Sequence, residues 1–589
     1  MISSEKIPII VGETGHRNIA DEDKAEIKAR VIDSLKEIQA LCKCDDGEDT
    51  PVIMLNAFAQ GADMLCAEAA FELGIDVVAI LPRDKDLYVN SFTNAEDKNK
   101  LFDYLSRCKR IFVAPDIEKN KEWIQKHDKE VNDDSYEYRQ LGIYIAEHSH
   151  VLLALWDGKP PKDQFGCGTV EVIKFTLEHN FLDNEHLFKP GTINDSAVVW
   201  IKSRRQGDPP ADVEKKWLIS GLESDGEKSE YVTSDAPPQF LKEIISKTVK
   251  YNANTVDIPR EPNDLWGNTD ELDEYRKNVQ YHYAKADGLS YKKNQKQYNM
   301  FMMLIAVIGT IVACSFLIYD EASLPFMIFP CSFAVGAIIL LCRLGRKKAY
   351  HKNYIEYRAL AEAMRIQFYM SMCLQEDNIV TNVGELYSWA QKIDCVWIDK
   401  AVRAIAVISN VGEVKPNTDD IMEAWIGRSK KSGQLGYHER KRIANKSNAK
   451  KYETLSGVTR CAAVVTYFAI FAMEIAACIL KAYGVCWFWE GNIFAYISWR
   501  NFCAIILGIA AAGSLLFSSY WGKLSFDRKL EDNEKMCEFY SSAYARWNEV
   551  KRHPDGEIAK FVKEIAREEI VENGIWYSYV KGNGLEVNI

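Results

Sequence analysis

Residues 52–81 read VIMLNAFAQGADMLCAEAAFELGIDVVAIL. An apolar run at 52–56 is followed by a glycine at 61. A helix-patterned stretch fills 61–74, and a second apolar run closes it at 75–81. Strand, helix and strand at this spacing form a βαβ unit, whose two strands lie parallel. Outward from this stretch the alternation continues. Short apolar runs stand at 9–11, 110–114, 151–156 and 197–201, and helical spacing fills 22–42, 94–108, 136–147 and 169–179. Strands apolar on both faces and separated by helices predict a doubly wound α/β fold, a parallel sheet covered on both sides. Ligands of such sheets sit at the carboxyl ends of the strands.

The residues at three of those ends carry glycines. The run at 9–11 leads into Gly12-Glu13-Thr14-Gly15-His16-Arg17. The run at 52–56 leads to Gln60-Gly61-Ala62-Asp63, which opens a helix. The run at 151–156 leads to Asp157-Gly158, then to Gly166-Cys167-Gly168-Thr169-Val170-Glu171, which opens another. Glycine before a helix lets backbone N–H groups approach an anion that the helix N-terminus favours. The same glycines also suit a plain tight turn.

Composition narrows the class. The chain has 589 residues and a net charge of -11, which argues against a nucleic-acid binder. Its 15 cysteines show no paired CxxC spacing, so they read as reduced structural thiols, and no metal site is expected. The N-terminus lacks the apolar core of a signal peptide, which keeps the first domain in the cytoplasm.

After residue 298 the character changes. Apolar runs at 300–319, 325–344, 460–480 and 502–520 approach the roughly 20 residues that cross a bilayer. The first pair is joined by Asp320-Glu321-Ala322-Ser323-Leu324, the second by a segment holding Trp487, Trp489, Tyr496 and Trp499. Lys292, Lys293 and Lys296 precede the first run, and Arg343, Arg346, Lys347 and Lys348 end the second. Lys446, Lys450 and Lys451 precede the third, and Lys523, Arg528 and Lys529 follow the fourth. The positive-inside rule then predicts an all-α membrane domain of four transmembrane helices in two hairpins, with both termini and the middle segment cytoplasmic. The expected division is a soluble domain at 1–255, a linker and entry helix at 256–298, hairpins at 299–345 and 458–521, and cytoplasmic helical segments at 346–457 and 522–589. The polar stretch 206–230 reads as a surface insertion or linker. Small residues four apart, such as Gly309 and Ala313 or Ser332 and Gly336, suit helix packing in lipid. Glu474 lies inside the third run, where a carboxylate either lines a watery path or pairs with Lys481.

The pieces VGETGHRNI (11–19), AFAQGADMLCAEAAFELGIDVVAILP (57–82), YIAEHSHVLLALWDGKPP (144–161) and GCGTVEVI (166–173) occur in this order. Over residues 9–205 the combination resembles the SLOG family, Rossmann-like relatives of the DprA and LOG proteins. The resemblance implies recognition of a nucleotide or nucleotide-derived messenger through Gly12, Glu13, Thr14, Gly15, His16, Arg17, Gln60, Gly61, Asp63, Asp157, Gly158, Gly166, Gly168, Thr169 and Glu171. Arg17 suits a phosphate or ribose, and Glu171 a ribose hydroxyl. LOG enzymes cleave N-glycosidic bonds with a PGGxGTxxE motif; here the proline and first glycine are missing and the final acid falls on Val172. No catalytic residue is therefore assigned. YRALAEAMRIQF (357–368) and REEIVENGIWYSYVKGNGLEV (567–587) resemble SLATT-type membrane effectors. Arg358, Glu362 and Arg365 fall at helical spacing and read as a solvated or intersubunit salt-bridged face.

Together these resemblances imply a bacterial antiviral effector at the inner membrane. An ADP-ribose-derived or cyclic nucleotide messenger, made by a TIR-type enzyme or a nucleotidyltransferase, would drive homo-oligomers into a pore or membrane disruption, with Glu474 as the pore candidate. A membrane-anchored LOG-like N-glycosidase and a non-catalytic scaffold are the alternatives.

Overall fold

The computed structural model describes residues 5–44, 48–116, 133–160, 168–179, 194–221, 231–256, 264–316, 324–376, 379–429, 433–485, 489, 491–494, 497–524, 526–552 and 557–582. Eight strands form one sheet: β1 (Ile9–Gly15), β2 (Val52–Asn56), β3 (Asp76–Leu81), β4 (Arg110–Val113), β5 (Val151–Trp156), β6 (Ala197–Lys202), β7 (Lys215–Ile219) and β8 (Val232–Ser234). Their order is β4-β3-β2-β1-β5-β6-β7-β8. The six strands from β4 to β6 run parallel, and β7 and β8 add antiparallel at one edge. The order reverses between β1 and β5, which makes the carboxyl ends of that pair the switch point of the sheet.

The helices of this part are α1 (Lys24–Leu41), α2 (Ala62–Glu72), α3 (Lys85–Asn90), α4 (Ala95–Arg107), α5 (Asp133–His148), α6 (Thr169–Glu178) and α7 (Gln239–Thr255). β2 and β5 are apolar and buried along their length because helices cover both faces. On one face Val11, Met54, Val77 and Leu153 meet Ile27, Val31 and Leu35 of α1 and Leu65 of α2. On the other, Ile143 and Ala146 of α5 meet Phe175 of α6. Each such side chain stabilises the fold by roughly 1.5–3 kcal/mol. The stretch expected as an insertion or linker instead contributes β7, whose Trp217 and Leu218 are buried while Lys215 and Lys216 stay half-buried. Its short length and charged positions hid it.

The rest of the chain is helical: α8 (Glu274–Asp287), a π-helical segment (Gly288–Gln295), α9 (Lys296–Phe316), α10 (Leu324–Lys348), α11 (Tyr350–Cys373), α12 (Trp389–Asp394), α13 (Val396–Ile408), α14 (Thr418–Trp425), α15 (Gln434–Ala482), α16 (Trp499–Leu524), α17 (Phe526–Val550) and α18 (Glu557–Gly582). The chain forms two compact units. The first gathers Met1–Ala286, Ala359–Thr418 and Asp555–Gly574; the second gathers Asp287–Arg358, Asp419–Pro554 and Ile575–Ile589.

In the first unit, α13 is bound to the sheet by charge. Lys400, almost fully buried, donates to the Ser149 carbonyl at 2.9 Å and the Glu147 carbonyl at 3.2 Å, and lies 3.5 Å from Asp195. Arg403 pairs with Asp399 at 3.1 Å and Glu147 at 3.4 Å. Arg110 of β4 donates to the Ala406 and Val407 carbonyls at 2.6 and 2.7 Å. Part of the expected middle segment is thus built into the sheet unit. Arg365, expected on a solvated or intersubunit face, is buried between Glu362 at 2.7 Å and Glu569 at 3.3 Å. In the second unit, Arg358 pairs with Asp287 at 2.7 Å.

Also in the second unit, α9 packs on α10 and α16, and α15 packs on α16 and α17. Among the described residues, α15 is the one helix long and apolar enough to cross a membrane, where four had been expected. Its most apolar 18 residues have a mean hydropathy of 2.2, and none of that window is buried. Shorter apolar helical stretches span Ser332–Leu341 and Trp499–Ala511. Residues 317–323 lie outside the described residues, so the tip expected at 320–324 and the run at 300–319 are described only in part.

Candidate functional site

The glycines of the first motif do not form a turn. β1 extends through Gly15, and Gly12 and Gly15 are strand residues paired with Leu152 and Leu155 of β5. A Cβ at Gly12 would sit 2.2 Å from Ser149 Oγ and 2.6 Å from Ile145 Cγ2; at Gly15 it would sit 2.3 Å from Ala62 Cβ. Both positions leave no room for a Cβ because α5 and α2 press onto the strand. Thr14 pairs with Ala154 and is half-buried. Gly61 differs again. It has φ +87, caps α2, and a Cβ there would meet the Arg17 carbonyl at 2.3 Å.

Glu13 points to the opposite face of β1 from Gly12. It is buried against Asp63, in the first turn of α2. Asp63 Oδ2 accepts the Ala59 N–H at 3.1 Å, and Asn56 holds the loop from both sides, accepting from Phe58 N–H at 2.7 Å and donating to the Asp63 carbonyl at 2.9 Å. Phe58 is held at φ +57, a strained backbone for a bulky residue. Burial, then the Asp63 charge, pushes the Glu13 carboxyl well above its ordinary value; burial lifts Asp63 to about 6. Burial thus disfavours the charge on both carboxyls, and the charge of Asp63 further disfavours ionisation of Glu13.

A small open cleft with a volume of about 30 Å³ is lined by Arg17, Ala59, Gln60, Tyr88, Ser91, Phe92 and Tyr138, next to the loop that donates to Asp63. The Arg17 guanidinium lies 5.2 Å from the Tyr138 ring centre, within electrostatic reach of Asp63. Gln60 donates to Asp97 at 2.8 Å. Tyr88 packs edge-on against Phe92, and its buried hydroxyl has no hydrogen-bond partner among the described residues. Tyr88, Ser91, Phe92 and Tyr138 were not anticipated. Applying the strand-end rule to β3, whose end leads through Arg83 and Asp84 into α3, would have found the first three.

The remaining motif residues form two other groups. Asp157, at the end of β5, is held by Arg205 Nε at 2.9 Å, the Lys159 N–H at 3.1 Å and His16 at 3.2 Å. Burial opposes its charge, but these partners keep the carboxyl below its ordinary range. Burial and Arg205 lower His16, so the imidazole is neutral at pH 7. Gly158 supplies the positive φ that turns the chain over Trp200. This cluster ties β1 to β5 across the switch point. Glu171 is occupied as well. It is buried, and its Oε2 accepts the Gly168 N–H at 3.1 Å, capping its own helix. Thr169 begins that helix, and Gly166 lies outside the described residues. Of the predicted site residues, Arg17 and Gln60 line the cleft, Gly61 and Asp63 follow at the start of α2, and Glu13 packs against Asp63.

Glu474, on α15, pairs not with Lys481 but with Arg500 of α16, at 2.6 Å, and accepts from Trp489 Nε1 at 3.3 Å. The partner comes from the other arm of the hairpin, which helical spacing on one arm does not reveal. The described residues bring together no group of three or more His, Cys, Asp or Glu with metal-ligand geometry. The chain matches no model of a known protein family, and no curated protein matches it.

Proposed function

We propose that this chain is a membrane effector of a bacterial antiviral system, gated by a nucleotide-derived messenger that binds the sheet unit. The observation that carries the reading is the Arg17–Tyr88–Tyr138 cleft at the carboxyl ends of the central strands, in one chain with the apolar window of α15, none of which is buried. A cationic lip with aromatic walls suits a nucleotide, and an exposed apolar helix suits lipid. The resemblance of the motifs to SLOG sensors and SLATT effectors points the same way. An ADP-ribose-derived or cyclic messenger then reaches the protein from a TIR-type enzyme or a nucleotidyltransferase.

The membrane part is proposed as two hairpins in the inner membrane, with both termini cytoplasmic. Exposed Met303 and Val307 on α9, Phe333 and Leu340 on α10, Val465 and Phe468 on α15 and Ile506 and Ile509 on α16 support a lipid-facing surface. Messenger binding assembles several copies and opens a pore or disrupts the bilayer. We read the sheet unit as a sensor rather than a hydrolase, because the acid best matched to LOG chemistry, Glu171, is engaged in capping its own helix.

The test is a thermal-shift screen of the full chain in detergent against ADP-ribose, its cyclic forms and cyclic di- and trinucleotides. A rise of several degrees with one class, absent in Arg17→Ala, is expected. No shift with any nucleotide, in a chain that melts cooperatively, removes the sensor reading.

A further inference from the structure

The inner end of the cleft has a chemical character that the motif residues alone do not define. Tyr88 is about 99% buried, and its hydroxyl lacks a partner while lying within electrostatic reach of Asp63, Arg17 and Glu13. A buried hydroxyl with no partner is a cost that native structures rarely retain without a use. Glu13 and Asp63 are buried behind the lining, and Tyr88 is a lining residue that meets their charge. A phosphate is disfavoured beside that hydroxyl by the same charge. The cation of the cleft, Arg17, lies over Tyr138.

From this placement we propose that the cleft binds its nucleotide in one direction, with the phosphate at Arg17 and a hydrogen-bond-donating group, an exocyclic amine or a ribose hydroxyl, read by the unpartnered hydroxyl of Tyr88. The proposal rests on the sensor reading and deepens it. Tyr88 is the discriminating residue, since a buried polar group left unpaired penalises any analogue that cannot satisfy it. Phe92 and Tyr138 supply ring faces on which a base or sugar packs. Phe58 holds its positive φ in the loop before α2, where the next residue, Ala59, donates its N–H to Asp63.

The experiment uses the full chain in detergent and two probes, ADP-ribose and cyclic di-AMP. Each is compared by calorimetry with its inosine analogue, which replaces the amine by an oxo group, and with its 2′-deoxy analogue. The expected result is a loss of roughly tenfold or more in affinity for one analogue of the probe that binds. Loss with inosine assigns the amine as the group read; loss with the deoxy form assigns the ribose. Tyr88→Phe should erase that preference, leaving the weaker analogue's affinity unchanged. The same variant should melt no lower than the wild type without ligand, because it deletes an unpartnered polar atom. A purely structural tyrosine would leave the analogue preference in place. Equal affinities across each series overturn the donor-reading subsite while leaving the sensor reading intact. Failure of both probes and all analogues to bind overturns both.

Discussion

Glu13 sits on β1 and Asp63 on α2, and burial makes each of them hard to ionise. Asp63 titrates at about 6 in the folded chain against an ordinary value of 3.8. Above about pH 4 the unfolded chain has released protons that the folded chain still holds, so this pair makes stability fall as pH rises through 6. Arg17 and the Ala59 N–H offset the charge only in part. Glu13→Gln keeps the shape and removes one of the two acids. Its melting temperature should exceed the wild type's at about pH 8, with the gap closing at about pH 4. A constant gap across that range would mean that the two acids do not interact. Neither their proximity nor the Tyr88 hydroxyl was legible in the sequence, because the three residues lie on β1 or follow β2 and β3, and meet only once those strands pair. Arg17 and the Gly61–Asp63 turn were legible, since both follow strands whose apolar runs are plain.

At the scale of elements, periodicity located β2 and β5 to the residue and most helices of the sheet unit to within a few residues, because strands covered on both faces must be apolar throughout. It misjudged why the glycines of β1 are there. Gly12 exists for the approach of α5, a contact that depends on Ser149 and Ile145 far along the chain. Gly12→Ala should therefore destabilise the protein by about 1–3 kcal/mol through overpacking, and Ser149→Ala should recover part of that loss. Thermal melts of the two single variants and the double variant check this; full additivity would show that the strand and helix do not press on each other there. The docking of α13 was equally hidden. Its apolar residues read as an ordinary amphipathic helix, whereas Lys400, the most polar position, is among the most buried. Lys400→Met takes a donor from two carbonyls and removes one basic partner of Asp195, which keeps His179 at 3.1 Å. A loss of about 3–5 kcal/mol is expected, read as a large drop in melting temperature. A variant as stable as the wild type would show the lysine to be dispensable.

At the scale of the whole molecule, the composition of the first unit constrains how the chain meets a bilayer. That unit is assembled from Met1–Ala286, Ala359–Thr418 and Asp555–Gly574. A single folded body stands on one side of a membrane, so each stretch between its pieces crosses an even number of times. If α15 spans, a second span must lie between residues 419 and 554, and the apolar stretch Trp499–Ala511 of α16, packed against α15, is the described candidate. Reporters fused near Gly412 and at residue 589 should both read cytoplasm, and one in the Asp320–Leu324 tip should read the outside. The Glu474–Arg500 pair joins the two arms of this second hairpin near its tip. Such a pair satisfies the carboxylate locally, and the positive charge offsets the field it would present to a pore. The gating test follows from that neutrality. Liposomes holding the full chain should stay tight until messenger is added and then leak. Arg500→Gln strips the counter-ion and exposes the carboxylate, so the leak should shift toward cations. Glu474→Gln should shift it the opposite way, while messenger-driven oligomers form in both. Identical ion selectivity in both variants makes the pair a hairpin clasp with no place on the conduction path. Oligomers without leak in any lipid make the membrane part an anchor, and the sensor's output would then pass through another protein.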